Sequence, residues 1–451
     1  MFAKKVVILG FVKQYFILVS NEVRTHGDIL RESGVVFLLR LLGVAAGFGF
    51  NVVLARVLGA EGAGLYFLAV TVLAIATVFG RMGLDSAMLR FVASNAALGR
   101  WERVAGVYRE GFLSAIVASM VVTGVIFVGA PFLASRVFHE PLLVTPIRVI
   151  TLAITPFSLF TLYAEMLKGL KRSAAGVVVQ SVSVPLLGLL LVLVLAPRYG
   201  VAGAVIAYVS AVFIALALGA FLWRRAVPQI HGLSASSFDR SVLWATSMPL
   251  FGVSVINLAM NWSGTLALGI WADPKDVGLY GIANRTVMLL NFILATANVI
   301  VSPRFADQFA RGNRQGLTSL FLRSVAVMGV VSLIPVLLFI SAPSFVLSLF
   351  GHEFAAASPL LVILVIGQFV NVLAGSVGPL LIMTGHERVL QSIMLRSALV
   401  FVVLTIYLTY SYGAIGAAFA STVNLVVLNL LGLYAVQKHL HIFECFSRFL
   451  K

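Results

Sequence analysis

Residues 34–66 read GVVFLLRLLGVAAGFGFNVVLARVLGAEGAGLY. From Gly34 to Leu58 the run is apolar but for Arg40, Asn51 and Arg56. At about 1.5 Å of rise per residue it exceeds the roughly 30 Å of a hydrocarbon core. The stretch therefore predicts a first transmembrane helix that ends in the turn Arg56-Val57-Leu58-Gly59. Arg40, Gly43, Gly47 and Asn51 share one stripe of that helix, opposite Leu38, Leu41, Phe48 and Val52. Glycines on a stripe let a neighbouring helix approach or leave a hollow, and the opposite face suits lipid. A guanidinium in hydrocarbon costs several kcal/mol unless it reaches water, a partner or the interface. Arg40 thus makes this face a candidate cavity wall.

Outward from this helix, apolar segments and short loops alternate along the chain. With 61% hydrophobic and 11% charged residues, against a charged share of about 25% in soluble proteins, the chain reads as an all-α polytopic membrane protein. Segments of spanning length fall at 34–58, 64–84, 110–133, 144–167, 174–196 and 201–223, then at 242–271, 278–302, 319–341, 356–383, 389–410 and 413–436. They predict twelve transmembrane helices in two six-helix lobes, residues 34–225 and 241–437. A linker at 226–240 joins the lobes and a tail at 438–451 follows them. Residues 1–33, with a basic start and an apolar stretch interrupted by Lys13, read as an interfacial segment.

The formal net charge of +16 does not imply nucleic acid as a partner, because the basic residues lie between apolar segments, where they set topology. With the N-terminus inside, 25 lysines and arginines flank inner helix ends, while Arg56, Arg136, Arg148, Arg198 and Lys275 flank outer ones. That bias predicts that both termini are cytoplasmic.

The two lobes share sequence. Gly64-Leu65-Tyr66 recurs as Gly278-Leu279-Tyr280, and Arg90-Phe91 as Arg304-Phe305, both at an offset of 214. Tyr199-Gly200 with Gly203 recurs as Tyr412-Gly413 with Gly416, at 213. Three matches in register imply a duplication. Six helices per unit keep both copies in one orientation, related by an axis along the membrane normal. Such an arrangement predicts a cavity between the lobes and transport by rocking one against the other. Pro156, Pro185, Pro249, Pro335 and Pro379 fall within predicted helices, where packing kinks are expected.

Shifting the first stripe by 214 lands on Ser254, Asn257, Asn261 and Thr265, so the matching face is small or polar in both halves. Asn284, Asn291 and Asn298 recur every seven residues on the eighth helix, beside Arg285. Arg285 lies roughly 12 Å inside the outer boundary, too deep for easy snorkelling. None of the sixteen acids sits at midspan. Asp85 and Glu165 are near inner helix ends, while Glu61, Asp273 and Asp276 fall in outer loops. A deep cation without a fixed counter-ion suits a wet cavity that receives an anion, and guanidinium matches phosphate bidentately. The candidate substrate-binding residues are therefore Arg40, Arg56, Asn257, Asn261, Asn284, Arg285 and Asn291.

No catalytic signature is present: there is no phosphate-binding loop, no His-Glu-x-x-His and no nucleophile motif. The single cysteine, Cys445, offers neither a disulfide nor a Cys-based metal site. No cofactor is expected, only a coupling ion.

Arg56-Val57-Leu58-Gly59 with Gly62, Gly64, Leu65 and Tyr66, then Gly83-Leu84-Asp85 with Arg90-Phe91, resembles the polysaccharide exporter and O-antigen (Wzx-like) flippase family. The turn Leu167-Lys168-Gly169-Leu170-Lys171-Arg172 is similar to that family as well, and the resemblance covers roughly residues 34–437. This family belongs to the superfamily of multidrug, oligosaccharidyl-lipid and polysaccharide exporters, with the multidrug extruders and lipid II flippases. The resemblance implies movement of an undecaprenyl-pyrophosphate-linked oligosaccharide, an O-antigen, capsule or exopolysaccharide unit, across a bacterial inner membrane through a cationic central cavity. It implies membrane lipids as partners, with a glycan polymerase and a chain-length regulator beside them. It places Arg40 and Arg56 where such proteins carry positive cavity residues, and H+ or Na+ coupling would fall to Asp85 and Glu165. A multidrug or small-solute cation-coupled antiporter of the same fold would want acids in its cavity. A membrane-embedded glycan polymerase or ligase would present a sizeable outer loop with its reactive residues.

Overall fold

The computed structural model describes residues 27–230 and 239–442, with side chains from Gly34 onward. The expected interfacial N-terminal segment to residue 26, residues 231–238 of the linker, and residues 443–451 of the tail, with Cys445, lie outside the described residues. Every regular element among those residues is helical. Eight helical units are long and apolar enough to cross a membrane, and a ninth is a bent pair, Pro141–Thr151 and Ile154–Gly169, with 43° between its parts. Three of the eight are hairpins that turn at Gly59, Gly200 and Gly413. Twelve crossings result. We label them α1 (27–58), α2 (60–81), α3 (Trp101–Val137), α4 (the bent pair), α5 (173–199), α6 (201–226), α7 (Arg240–Trp271), α8 (Pro274–Ala310), α9 (Arg314–Ser341), α10 (His352–Met383), α11 (387–412) and α12 (414–440). The near face is the one at which α1 begins; the far face is its opposite.

The hairpins show why the repeat motifs are spaced as they are. Gly200 and Gly413 turn the chain with the same backbone angles, φ 57, ψ −135 and φ 56, ψ −135. Side chains disfavour positive φ, so both corners need glycine. Three residues on, a Cβ at Gly203 would stand 2.1 Å from the Leu195 carbonyl oxygen, and one at Gly416 would stand 1.9 Å from that of Leu408. Each motif therefore folds a pair of helices tightly back on itself at the far face.

The Gly-Leu-Tyr motif does something different: it joins the halves. A Cβ on Gly64 would meet the Pro274 carbonyl oxygen at 1.7 Å and the Gly278 nitrogen at 3.1 Å; one on Gly278 would meet the Ala60 oxygen at 1.9 Å and the Gly64 nitrogen at 3.1 Å. The contact is reciprocal at the repeat offset, and it brings α2 and α8 backbone to backbone at the far half of the lobe boundary. Small residues permit such approach in a membrane, where packing rather than the hydrophobic effect holds helices together. Also at the far face, Arg56 Nε donates to the Leu349 carbonyl at 2.8 Å, and the Glu353 carboxylate accepts from the Ala60 N–H at 2.9 Å. That carboxylate satisfies an orphan donor at the start of α2.

The halves diverge at the near face. After α2 the chain breaks at Met82 and Gly83, both at positive φ, and restarts as the helix Leu84–Ala97. The corresponding part of α8 continues unbroken to Ala310. Gly83 packs against the α7 backbone, where a Cβ would lie 2.3 Å from the Ser247 carbonyl oxygen. Arg90-Phe91 and Arg304-Phe305, matched in sequence, thus lie on a short helix and on a full crossing. Among the prolines, Pro156 follows the α4 bend, Pro185 follows a π-helical stretch at Val178–Ser183, and Pro379 follows a break at Gly375. Pro249 and Pro335 sit inside continuous helices. The outward faces of α3 and α9, with Val125, Val128, Ile334 and Leu337 exposed, have the composition of lipid-facing surface.

Candidate functional site

A cavity of about 410 Å³ opens within the first lobe, lined by residues of α1, α2, α4, α5 and α6 and by one residue of the second lobe, Arg285. Its walls carry Phe50, Tyr66, Phe157, Phe160 and Tyr208; its polar groups include Asn51, Arg81, Thr161, Gln180 and Arg285, and among the described residues no carboxylate lines it. This cavity thus lies within one lobe and takes a single described residue from the other. The glycine approach of α2 and α8 leaves no room between those two helices, and α8 instead pushes a guanidinium into the first lobe.

Arg285 is fixed in orientation. Its Cζ stands 3.7 Å from the centroid of the Phe67 ring, and its Nη1 donates to the Gly281 carbonyl at 3.1 Å. Such stacking away from water contributes about 2 kcal/mol. Gly281 makes it possible, because a Cβ there would fall 2.4 Å from Cδ2 of Phe67 and 3.2 Å from Arg285 Nη1. Phe67 and Gly281 are repeat partners, so a ring in one half fills space left by the other. Thr71, which holds the place of Arg285 in the first half, is fully buried and donates to the Phe67 carbonyl at 2.7 Å. Among the described residues Arg285 has no carboxylate partner. It lies close enough to Tyr66 and Tyr208 to interact electrostatically with both.

At the other end, Arg81 donates to the Thr77 carbonyl and pairs with Asp85 at 3.3 Å. Glu165 accepts from Lys168 at 2.7 Å and from Gln180 at 3.0 Å. Both acids stand directly behind lining residues, each neutralised by a cation.

The remaining sequence candidates are dispersed. Arg40 is exposed and outside the cavity lining. Of its stripe, Gly43 presses against the Ser181 carbonyl, where a Cβ would meet oxygen at 2.2 Å, while Gly47 and Asn51 reach the cavity. Arg56 belongs to the far-face contact with Leu349. Asn257 and Asn261 are exposed on α7 and donate to the carbonyls four residues back. Asn284 is half-buried next to Arg285. The Asn291 side-chain oxygen accepts from Gln368 and from Asn371, which in turn accepts from Asn429 at 2.9 Å, an amide chain inside the second lobe. Tyr66, Arg81, Gln180 and Tyr208 were not among the candidates. Tyr66 stands in the repeated motif, and Arg81 at an inner helix end, where basic residues set topology.

The family model described as polysaccharide biosynthesis protein matches residues 29–309, more than half of the chain. The stage V sporulation protein B of Bacillus subtilis is 30% identical over 141 residues, 31% of this chain; the match spans only 25% of that relative's length. Among solved structures, the lipid II flippase MurJ in an inward closed conformation superposes with a TM-score of 0.71 at 13% identity, covering 90% of this chain and 87% of that one. An inward-facing multidrug resistance transporter gives 0.67 at 15%, covering 91% and 99%, and a transporter from Pyrococcus furiosus gives 0.62 at 14%, covering 92% and 96%. The fold is therefore the one these solved structures share.

Proposed function

The chain belongs to the polysaccharide biosynthesis protein family, and from that premise we propose that it is a flippase for an undecaprenyl-pyrophosphate-linked oligosaccharide. The cargo passes from the cytoplasmic to the outer leaflet of a bacterial inner membrane by alternating access, as the lobes rock about the contact of Gly64 with Gly278. One observation carries the reading: Arg285 enters a cavity that holds a second arginine and, among the described residues, no lining carboxylate. Such a lining favours a phosphate-bearing headgroup and disfavours the organic cations of a drug antiporter. Arg285 and Asn284 hold the headgroup at the cavity; Arg40, Arg56, Asn257, Asn261 and Asn291 meet it along the path between leaflets. Asp85 and Glu165, each one layer behind the lining, bind the coupling ion, H+ or Na+. A glycan polymerase and a chain-length regulator receive the product.

Depleting the protein from its own cells is expected to remove the surface glycan while the lipid-linked precursor accumulates in the inner leaflet, as read by extracting lipids from inverted and right-side-out vesicles. Precursor reaching the outer leaflet at the normal rate would overturn the reading. The topology has its own check: a tag placed after Lys451 is expected to stay unlabelled in intact cells and to become accessible on permeabilisation. External labelling of that tag would reverse the orientation.

A further inference from the structure

Tyr66 and Tyr208 line the cavity beside Arg285, and neither hydroxyl hydrogen-bonds to any described residue. Tyr66 is 3% exposed, so its hydroxyl depends on whatever fills the cavity. The second half shows how the same position is closed by the protein itself. The repeat partners of Tyr66 and Tyr208 are Tyr280 and Ser421, and these two hydroxyls bond each other at 3.0 Å. The first half thus leaves two phenols open where the second seals its own pair.

The groups facing this end of the cavity can all donate. A guanidinium can only donate, and a phenol can donate its single proton. Phe67 holds the guanidinium plane, and Gly281 accepts from one Nη1 hydrogen, leaving the other edge free. Such a set matches an acceptor-only ligand and repels a cation. The 410 Å³ volume lies near the lower end of the roughly 300–1,000 Å³ of ligand pockets, room for a charged group and its immediate neighbours.

Resting on the flippase reading, we propose that Tyr66 and Tyr208 complete an oxyanion subsite inside the first lobe, in which two phenols and the ring-stacked Arg285 hold one phosphoryl or carboxylate group of the cargo. Gly281 and Phe67 are positioning residues, acting through the guanidinium. The subsite explains why a charge borne by the second lobe faces two tyrosines of the first.

The test uses the full chain in lipid nanodiscs, titrated calorimetrically with inorganic pyrophosphate and, separately, with glucuronate. Pyrophosphate binding identifies a phosphoryl source; binding of glucuronate alone identifies a sugar carboxylate. Tyr66→Phe and Tyr208→Phe each keep the ring and lose one donor to an anion, so each is expected to weaken the bound anion roughly ten- to a hundredfold. Tyr280→Phe, at the sealed position, is expected to leave affinity unchanged. Gly281→Val, which removes no donor but forces the ring and guanidinium apart, is expected to weaken binding as well. Binding of neither anion, or affinities indifferent to both tyrosine substitutions, would overturn the subsite even if glycan export proved real. Tyrosine-dependent binding in a protein whose depletion leaves the glycan intact would instead uphold the subsite and reject the flippase reading.

Discussion

Arg285→Glu is expected to reduce glycan export to background while the protein remains folded in the membrane at normal abundance. The substitution reverses the charge at the one point where the second lobe enters the cavity, so a phosphate-bearing headgroup would meet a carboxylate in place of a guanidinium. Because Arg285 has no carboxylate partner among the described residues, the change leaves no orphaned counter-ion behind, the usual cause of collapse when a buried pair is broken. Arg285→Lys separates charge from geometry. Lysine keeps the cation but loses the planar stack on Phe67 and the bidentate fork, so export is expected to fall partway. Surface glycan, quantified beside the membrane level of each variant, decides the matter. Normal glycan in Arg285→Glu would remove this residue from the mechanism.

Gly64→Val is expected to have an effect of similar size by another route. A Cβ at 64 would overlap the Pro274 carbonyl oxygen at 1.7 Å, and the obstacle is backbone, which cannot rotate away. Overpacking of side chains alone costs roughly 1–3 kcal/mol, and here two helices must separate by more than an ångström. The far-face bonds of Arg56 to Leu349 and of Glu353 to Ala60 span the same boundary and would be strained with it. Gly278→Val should match Gly64→Val, because its contact is the mirror of the first. Gly124→Val and Gly129→Val, where a Cβ meets nothing within 4 Å, are the controls and should be near neutral. Thermal stability in detergent and export in cells are the measurements; a stable, active Gly64→Val would show that the lobes do not depend on this approach.

The crossings were legible because a bilayer demands about twenty apolar residues for each, and few other structures need so many in succession. The hairpin corners were legible too, since Gly200 and Gly413 stand at the same place in both copies. Helical spacing says which residues share a face, yet not which neighbour that face meets, and the first stripe shows the limit. Gly43 is closed by the Ser181 carbonyl, Asn51 opens on the cavity, and Arg40 stands outside the lining. The lining itself gathers residues from six crossings, a set no local pattern announces. Tyr66 marks the repeat, but its open hydroxyl has meaning only beside Tyr208 and against the sealed pair in the other half. Arg81 was hidden by a sound rule, because it does lie at a helix end where basic residues orient a membrane protein.

Phe67 against Gly281, and Thr71 against Arg285, are places where two descendants of one ancestor have specialised: one keeps the vessel, the other supplies the hook. A chimera built from two first halves would have two vessels and nothing to hang in them. One built from two second halves would have hooks with no ring to rest on. Position 281 must therefore stay small for as long as position 67 carries a ring, a constraint that reaches across the midpoint of the chain.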